Sequence, residues 1–322
     1  MKFLTDFDVR GKRILVRCDF NVPLSDGGAI LDDAKIKEAL PTLDYLLEGG
    51  ATVIIITHLG DGEANLDGIA KRLGELLGRP IPGEQITMLE NIRSHQEEMD
   101  NREAFAKKLA ALGDIYINEA FDVCHRAHAS VAGIPKYLPH GAGFALQKEV
   151  AVLSQIMQRP ARPMVAIIGG AKAETKAKLV DPFCAFADTV IVGGLIKQEL
   201  IDKKIPLQYP EKVIGPKDDL QAPDISGDDV KKITQKIRQA KTIFWNGPFG
   251  NIENPEFATG TRAIANAIIK SGAFCVVGGG QTIAFLRKEG ILEKFGHAST
   301  AGGAMLSYLA GEELPGLTAL EL

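Results

Sequence analysis

Short apolar runs that alternate with longer amphipathic stretches constrain the fold of this chain more than any other feature. The apolar runs, which we predict to be strands, are Arg13–Arg17, Thr52–Thr57, Asp114–Ile117, Met164–Ile168, Thr189–Val192, Thr242–Trp245 and Phe274–Val277. Several are apolar at nearly every position, as expected for strands buried on both faces of a parallel sheet. The amphipathic stretches, which have helical spacing, include Ala34–Glu48, Ile69–Leu77, Arg102–Leu112 and Asp228–Ala240. This alternation predicts an α/β fold in which parallel sheets are flanked by helices.

The chain has 322 residues, a length that favours two domains. A Pro/Gly-rich segment, Leu138–Gly143, precedes one helical pattern at Phe144–Gln158, and a break at Pro160–Pro163 then precedes a new strand. We therefore predict two Rossmann-like lobes joined by a connecting helix. The predicted ranges are an N-terminal lobe at 1–145, the connecting helix at 146–160 and a C-terminal lobe at 161–322, with about the last 15 residues returning to the N-terminal lobe.

Composition excludes several classes of function. The formal net charge is −4, which disfavours nonspecific binding to nucleic acid. The four cysteines are widely spaced without a CxxC pair, and we interpret them as free thiols in a reducing compartment. No apolar run approaches the roughly 18 residues of a membrane span, and the charged N-terminus does not resemble a signal peptide. These features predict a cytoplasmic protein without a nucleic-acid or membrane partner.

Polar and cationic residues follow the predicted strands of the first half. Asp19 and Asn21 come directly after the first strand, and their side chains project to the same side of an extended chain. The cationic candidates in this half are His58, Arg93, His125, Arg126 and His128. Convergence at one sheet edge would form a basic pocket for a small phosphorylated or carboxylated molecule. The alternative for each residue taken alone is a solvated side chain or one satisfied in the core.

Glycine-rich turns follow the predicted strands of the second half. They are Gly169–Lys176, Trp245–Gly250, Gly278–Thr282 and Ser299–Ala304. Glycines let the backbone approach a ligand closely, and a following helix N-terminus favours phosphate. Neither the P-loop pattern nor the dinucleotide fingerprint is present. Repeated strand–glycine–helix turns in one lobe indicate a nucleotide phosphate site, and close packing is the alternative for any single turn.

With these motifs assembled, the chain resembles the phosphoglycerate kinase family over nearly its whole length. The ordered motifs are CDFNVPL, THLG, LENIR, NEAF, HRAHAS, GGAK, WNGPFG, GGGQT, STAGGA and LPG. The resemblance implies reversible phosphoryl transfer between 1,3-bisphosphoglycerate with ADP and 3-phosphoglycerate with ATP, a glycolytic reaction. It also implies a monomer that uses Mg²⁺ with the nucleotide. The N-terminal lobe would bind phosphoglycerate, and the C-terminal lobe would bind the nucleotide.

The same resemblance implies roles for individual residues. Those at substrate-binding positions are Asp19, Asn21, Lys35, His58, Arg93 and Arg126. Lys35 and Lys172 fall on catalytic positions at the transferred phosphoryl group. Those at nucleotide-binding positions are Gly170, Lys172, Lys176, Asn246, Pro248, Glu253, Gly279, Gly280, Gln281 and Thr282. Among them, Glu253 matches the ribose-binding glutamate.

The chain departs from the family pattern at several site positions. Lys35 replaces the usual arginine, so charge is kept without the bidentate fork, and Asp61 follows the His-Leu-Gly motif where a cation is usual. Gln281 replaces the aspartate that helps to hold Mg²⁺, so no protein metal ligand is assigned and the metal site is expected to be weakened. The chain is also several dozen residues shorter than typical members. We locate the losses between Pro82 and Met88 and between Leu195 and Asp224, the second in a proline-rich stretch predicted to be an irregular loop.

These departures leave two hypotheses open. The first is a compact, working phosphoglycerate kinase. The alternative is a catalytically impaired paralogue that binds a phosphorylated metabolite or nucleotide as a sensor or partner protein. A scaffold without a ligand is disfavoured, because it would give the cationic cluster no purpose.

Overall fold

The computed structural model describes residues 1–217 and 219–321. These residues form two compact units, one comprising Met1–Ala151 and the C-terminal segment from Glu313, and the other comprising Val152–Glu312. The predicted C-terminal lobe, 161–322, extends to Leu322, which lies outside the described residues. We describe each unit by itself.

The first unit is built on a parallel sheet. Its strands are β1 (Arg13–Arg17), β2 (Thr52–Ile56), β3 (Ile86–Met88), β4 (Ile115–Asn118) and β5 (His140–Ala142), in the order β3-β2-β1-β4-β5. Every pairing is parallel, with Ile14 opposite Val53 on one side and Ile115 on the other. Central β1 is buried at every position after Arg13, which explains its continuous apolar sequence.

Helices cover this sheet. They are α1 (Ala34–Glu48), α2 (Asp67–Leu77), α3 (Gln96–Met99), α4 (Glu103–Ala110) and α5 (Phe144–Gln158). The apolar stripe of α1 buries Ile36, Leu43 and Leu46 against the sheet residues Val16 and Val53. Helix α2 ends at Gly78, whose φ of 65° is the left-handed conformation that glycine adopts most easily. The predicted spans Ala34–Glu48 and Phe144–Gln158 match α1 and α5.

The second unit repeats this plan with a different strand order. Its strands are β6 (Met164–Ile168), β7 (Thr189–Val192), β8 (Val213–Ile214), β9 (Thr242–Asn246), β10 (Phe274–Gly278) and β11 (His297–Ser299), in the order β11-β10-β9-β6-β7-β8. All pairings are parallel. The central strands β6 and β9 are buried at every position.

The helices of the second unit follow its strands. They are α6 (Ala173–Ala177), α7 (Val180–Phe186), α8 (Gly194–Asp202), α9 (Gly227–Gln239), α10 (Thr259–Ser271), α11 (Gly280–Lys288) and α12 (Gly302–Leu309). Helix α9 begins after Ser226, whose hydroxyl accepts a hydrogen bond from the Asp229 N–H. It packs on the core through Ile233 and Ile237, close to the buried Trp245.

A last helix, α13 (Pro315–Thr318), belongs to the first unit. There the Gly316 N–H donates to the Cys124 carbonyl at 2.8 Å. A β-carbon at Gly316 would lie 2.8 Å from the Cys124 Cα, so the close approach requires glycine. Within the described part of the chain, no helix is long and apolar enough to cross a membrane.

The predicted fold class, two α/β lobes with parallel sheets flanked by helices, is confirmed. Each of the seven predicted strands is present, within a residue or two at its ends. Strands β3, β5, β8 and β11 were not predicted, because runs of two or three residues carry too little periodicity. Strand β8 lies inside the stretch predicted to be an irregular loop, and pairing with β7 orders it. The assignment of the ranges 1–145, 146–160 and 161–322 to functional lobes stays a prediction.

Candidate active site

Each sheet reverses its strand order at one place, and the predicted site residues gather at these two places. In the first unit β1 lies between β2 and β4, and in the second β6 lies between β7 and β9. Crossovers leave the sheet in opposite directions at such a switch point, which opens a crevice beyond the carboxyl ends of the strands. Asp19 follows β1, and Gly169 follows β6.

In the first unit, Arg17 orients His58. Arg17 ends β1 with a fully buried side chain, and its Nη2 lies 3.2 Å from Nδ1 of His58. Burial first, and then the charge of Arg17, lower the pKa of His58 to about 2, so the imidazole is neutral. Arginine can only donate, so Nδ1 accepts and Nε2 carries the proton, 3.8 Å from Oδ1 of Asp19.

A buried network holds Arg17 in turn. Its Nε donates to the Ser130 hydroxyl at 2.8 Å, and Ser130 donates both its hydroxyl and its backbone N–H to the fully buried Glu98. Sequence reasoning missed Arg17 and Glu98. The available signal for Arg17 was a charged residue at the end of an apolar strand, which must find partners if it is buried.

Lys35 joins the site from the first turn of α1. Its Nζ lies 2.8 Å from Oδ2 of Asp19 and 2.6 Å from Oδ2 of Asp122. Burial opposes the positive charge, but the two carboxyl groups outweigh it and raise the pKa of Lys35 above its ordinary value. Asp122, in a short 3₁₀ turn after β4, was also missed by sequence reasoning.

Arg93 and Arg126 lie within electrostatic reach of each other and of His128. Burial first, and then Arg126 and Arg17, lower the pKa of Arg93, and its Nη1 donates to the Gly60 carbonyl at 2.9 Å. Burial, with Arg93 and Arg126, lowers the pKa of His128 to about 4. Like charges held this close disfavour one another, so a bound anion would relieve the strain. The residues expected at one sheet edge are therefore brought within electrostatic reach of one another, but His58 and His128 are neutral rather than cationic, because burial and the neighbouring arginines lower their pKa values.

Asn21 lies beside this group. Its Oδ1 accepts the Gly60 N–H at 3.0 Å, and its own N–H donates to Oδ1 of Asp19 at 2.9 Å. Asp61 also lies close enough to act on Arg93, where its carboxylate favours the charged guanidinium. Asp61 therefore offsets part of the cationic field rather than reversing it.

In the second unit, two glycine turns lie against each other. The Gly169 and Gly170 N–H groups donate to the carbonyls of Asn246 and Pro248, each at 2.8 Å. A β-carbon at Gly169 would lie 2.3 Å from the Pro248 oxygen, and Gly247 adopts a φ of 94°. Only glycine allows both the approach and the angle.

Lys176 reaches back to this pair of turns. Its Nζ donates to the Gly169 carbonyl at 2.6 Å. Burial first, and then the charge of Lys172, lower the pKa of Lys176 to about 8. Lys172 itself is exposed at the start of α6. The two lysines thus present positive charge at the end of β6, beside glycine N–H groups that donate to carbonyl oxygens within the protein.

A cavity of about 410 Å³ opens beside the turns. Predicted site residues on its wall are Gly170, Pro248, Glu253 and Gln281. Its opposite wall includes Pro216 and residues 219–225, from the stretch that the sequence indicated only as an irregular loop. The volume suits a small organic molecule. The shortened segment therefore lines the cavity rather than leaving it open.

Other predicted nucleotide-site residues support the turns. Thr282 is fully buried, and its hydroxyl accepts the Gly247 N–H at 3.0 Å. Asn246 is buried as well, next to Gly279, whose φ is 91°. Gly280 is exposed and begins α11. Thr282 and Asn246 thus shape the site from beneath.

The side chains of the described residues do not form a metal site by themselves. Among residues 1–217 and 219–321, no group of three His, Cys, Asp or Glu side chains could hold a metal ion. The exposed Gln281 on the cavity wall offers one neutral amide oxygen. Mg²⁺ usually takes one or two protein oxygens together with substrate phosphates and water, so this donor fits a metal that arrives with a nucleotide.

Comparison with known proteins assigns the family. The family model described as phosphoglycerate kinase matches residues 4–205 and 203–312. Phosphoglycerate kinase from Dictyoglomus turgidum is 38% identical over 387 residues, covering 99% of this chain and 98% of that protein. The Desulfosudis oleivorans phosphoglycerate kinase is 39% identical over 392 residues, covering 100% and 99%. These alignments exceed the 322 residues of this chain, so the relatives carry several dozen residues that it lacks.

Solved structures agree with this comparison. Phosphoglycerate kinase from Coxiella burnetii matches with a TM-score of 0.87 and 32% identity, covering 99% of this chain and 98% of that one. The Pyrococcus horikoshii phosphoglycerate kinase gives a TM-score of 0.87 and 31% identity, covering 100% and 98%. With a matched family model, full-length relatives and the same two-lobe fold, the chain belongs to the phosphoglycerate kinase family.

Proposed function

We propose that this chain transfers the acyl phosphoryl group of 1,3-bisphosphoglycerate to Mg²⁺-bound ADP, releasing 3-phosphoglycerate and ATP, and that it also runs the reverse reaction. The observation that carries the proposal is the clustering of cationic side chains at the switch point of each sheet, Lys35, Arg93 and Arg126 in the first unit and Lys172 and Lys176 in the second. Family membership supports this reaction, and nothing favours the impaired paralogue. The expected monomeric state and cytoplasmic location remain predictions.

The first unit would bind phosphoglycerate. Arg93 and Arg126 would hold the phosphate remote from the reacting end, because a guanidinium can donate two parallel hydrogen bonds to phosphate oxygens. Asp19 and Asn21 would hold the hydroxyl group. His58, neutral with its proton on Nε2, would donate a hydrogen bond without adding charge. Lys35 would lie at the reacting carboxyl end.

The second unit would bind the nucleotide. The glycine turns and Lys176 would hold phosphate oxygens, Glu253 would accept from the ribose hydroxyls, and Pro248 would face the base side of the cavity. Mg²⁺ would enter as part of the nucleotide substrate, with Gln281 as its neutral protein neighbour. Because a carboxylate binds Mg²⁺ more strongly than an amide, we propose that this site has weakened metal affinity.

Phosphoryl transfer requires little covalent help from a protein. In the transition state the equatorial oxygens of the transferring phosphoryl group carry the negative charge, and fixed cations and N–H groups stabilise that charge. Lys35 and Lys172, which the family resemblance assigns to the transferred phosphoryl group, would supply those cations. A lysine ammonium is a point charge and lacks the planar, bidentate geometry of a guanidinium. Neighbouring groups must therefore fix the orientation of both lysine side chains.

A coupled assay of ATP formation from 1,3-bisphosphoglycerate, ADP and Mg²⁺ tests the proposal. We expect turnover that Lys172→Ala lowers by at least about a hundredfold, since a catalytic cation is lost. Lys178→Ala is the matched control, because Lys178 is an exposed lysine at the end of α6. Absence of ATP formation at high enzyme concentration, with calorimetric binding of both ligands intact, would establish the impaired paralogue instead.

A further inference from the structure

Lys35 lies between two carboxyl groups that come from different elements. Asp19 follows β1, Asp122 lies in the turn after β4, and Lys35 stands in the first turn of α1. The side chains are 6%, 16% and 23% exposed respectively, so none is free to reach bulk water fully. The Lys35 Nζ donates a charge-assisted hydrogen bond to Oδ2 of Asp19 at 2.8 Å, and it forms an ion pair with Oδ2 of Asp122 at 2.6 Å.

The two carboxyl groups compete for one ammonium. Burial opposes ionisation of Asp19, but Lys35, His58 and the Asn21 N–H outweigh it and hold the pKa of Asp19 far below its usual range. Burial and the charge of Asp19 raise the pKa of Asp122 to about 7. The pKa values of two carboxyl groups near one cation separate in this way, because two negative charges held close together repel each other.

An incoming anion changes this balance. A phosphorylated acid bound next to Lys35 adds negative charge beside the carboxyl pair, and protonation of one carboxyl removes part of the repulsion. Asp122 is the weaker acid of the pair. Protonated Asp122 can donate its O–H to Asp19 while Asp19 keeps its hold on Lys35.

We propose that Asp122 is a positioning residue for Lys35 and that it takes up a solvent proton when an anionic ligand occupies the site of the first unit. The inference rests on the proposed function for the identity of that ligand, 3-phosphoglycerate. It assigns Asp122 a part in substrate binding although it need not touch the substrate. No bond is made or broken other than the new O–H.

The histidine and cysteine side chains around the pair do not supply this proton near pH 8. Burial and neighbouring arginines lower the pKa of His58 to about 2 and that of His128 to about 4, far from the range. Burial raises the pKa of the Cys124 thiol to about 12, so it stays protonated throughout. Lys35 remains charged, because the two carboxyl groups raise its pKa. Burial raises the pKa of the Glu119 carboxyl to about 8 as well, so the comparison of the wild type with Asp122→Asn is what assigns the proton to Asp122.

Calorimetric titration of 3-phosphoglycerate into the full chain, in buffers of different ionisation enthalpy at about pH 8, counts the protons taken up. We expect at least about half a proton per ligand for the wild type and close to none for Asp122→Asn. Asp61→Asn is the matched control, because it removes a carboxylate near Arg93 that makes no ion pair with Lys35. It should keep the wild-type proton number.

The pH profile and a double-mutant cycle separate positioning from general electrostatics. Between about pH 7.5 and 8.5, wild-type affinity should fall by up to about eightfold, and the affinity of Asp122→Asn should stay within about twofold. In a Lys35→Met background, Asp122→Asn should change affinity less than it does in the wild type. An equal effect in both backgrounds, or equal proton uptake by wild type and Asp122→Asn, overturns the inference.

Carboxyl ¹³C NMR of the ligand-free protein gives a readout that needs no ligand. We expect one aspartate carboxyl to titrate near pH 7, and that resonance to be absent from Asp122→Asn or, if this variant folds poorly, Asp122→Ser. Absence of such a titration refutes the role of Asp122. If the titration is present but neither the wild type nor any variant binds 3-phosphoglycerate, the proposed ligand and the proton uptake on its binding are refuted. The proton shared by Asp19 and Asp122 in the ligand-free protein would still be supported.

Discussion

The two candidate sites occupy equivalent places in their sheets but are built from different materials. The site of the first unit consists of charged side chains, with Arg17, Lys35 and Arg93 partly or fully buried and held by carboxyl and carbonyl oxygens. The site of the second unit is formed mainly by backbone. Gly169 and Gly247 lie in contact there, and the Lys176 Nζ donates a hydrogen bond to the Gly169 carbonyl. Ligand binding at the first, charge-built site should change with pH and should weaken when a charged side chain is removed. Ligand binding at the second, backbone-built site should weaken when a side chain is added to one of its glycines.

Gly247→Ala should produce the largest effect, because it tests the backbone-built site. A β-carbon there would lie 2.0 Å from the Gly169 carbonyl oxygen, at a φ of 94°. We expect a loss of unfolding free energy of about 2–4 kcal/mol and at least about a hundredfold weaker ADP binding. Gly227→Ala is the control, since nothing lies within 4 Å of its β-carbon, and it should be neutral or slightly stabilising. An unchanged ADP affinity in Gly247→Ala would contradict a backbone-built site.

Glu119→Gln tests buried charge in the first unit. Burial raises the pKa of Glu119 to about 8, although the Thr42 hydroxyl and the Ala145 and Leu146 N–H groups oppose the shift. A raised carboxyl pKa means that the folded state binds the proton more tightly. Its contribution to stability is complete below the unfolded pKa and is lost as pH rises through about 8.

We expect Glu119→Gln to remove this pH dependence, so that the variant gains on the wild type by up to a few kcal/mol between about pH 6 and 9. Urea denaturation at several pH values measures the difference. Parallel stability profiles for the two proteins would show that Glu119 is not held as a buried acid.

Lys176→Met tests a buried lysine in the backbone-built site. With a pKa of about 8, Lys176 is charged below that pH and neutral above it. Wild-type affinity for ADP should therefore decline as pH rises from about 7 to 9, and Lys176→Met should bind about tenfold more weakly at pH 7 with a flatter profile. Calorimetry at three pH values suffices. An equally steep profile in the variant would assign the titration to another group.

Gln281→Asp should have the smallest effect and the opposite sign. A carboxylate at the exposed start of α11 should raise the Mg²⁺-dependent part of ADP affinity by a few-fold, or about 1 kcal/mol, and leave Mg²⁺-free binding unchanged or weaker. Titrations with Mg²⁺ and with a chelator make the comparison. A gain of equal size under both conditions would remove the metal from the explanation.

The same contrast explains what could be predicted from sequence. Strand spacing placed Asp19 and His58 after predicted parallel strands, and parallel strands bring their carboxyl ends to one edge. Arg93 follows β3, which was not predicted. The structure indeed brings these side chains within electrostatic reach of one another. The sequence could not indicate which of them share a proton or a hydrogen bond, because such contacts depend on rotamers and burial. For that reason the ion pair of Asp122 with Lys35 and the hydrogen bond of Arg17 to His58 were not predicted.

In the second unit the sequence indicated the glycine turns but not their partners. Gly169 and Gly247 lie far apart along the chain, and their contact follows from the pairing of β6 with β9. The cavity wall at residues 219–225 was hidden for another reason. It has no periodicity, and its position depends on the close approach of Leu220 to Gly194 rather than on local propensity.

The most direct test of the account is to measure both ligands on two variants, one for each kind of site. Arg126→Ala removes an exposed cation from the first unit, and Gly247→Ala distorts the turn of the second. We predict that Arg126→Ala weakens 3-phosphoglycerate binding by at least about tenfold and changes ADP binding by less than about twofold, and that Gly247→Ala does the reverse. If either variant weakens both ligands equally, or if neither changes its own ligand, the assignment of one anion site to each unit is wrong.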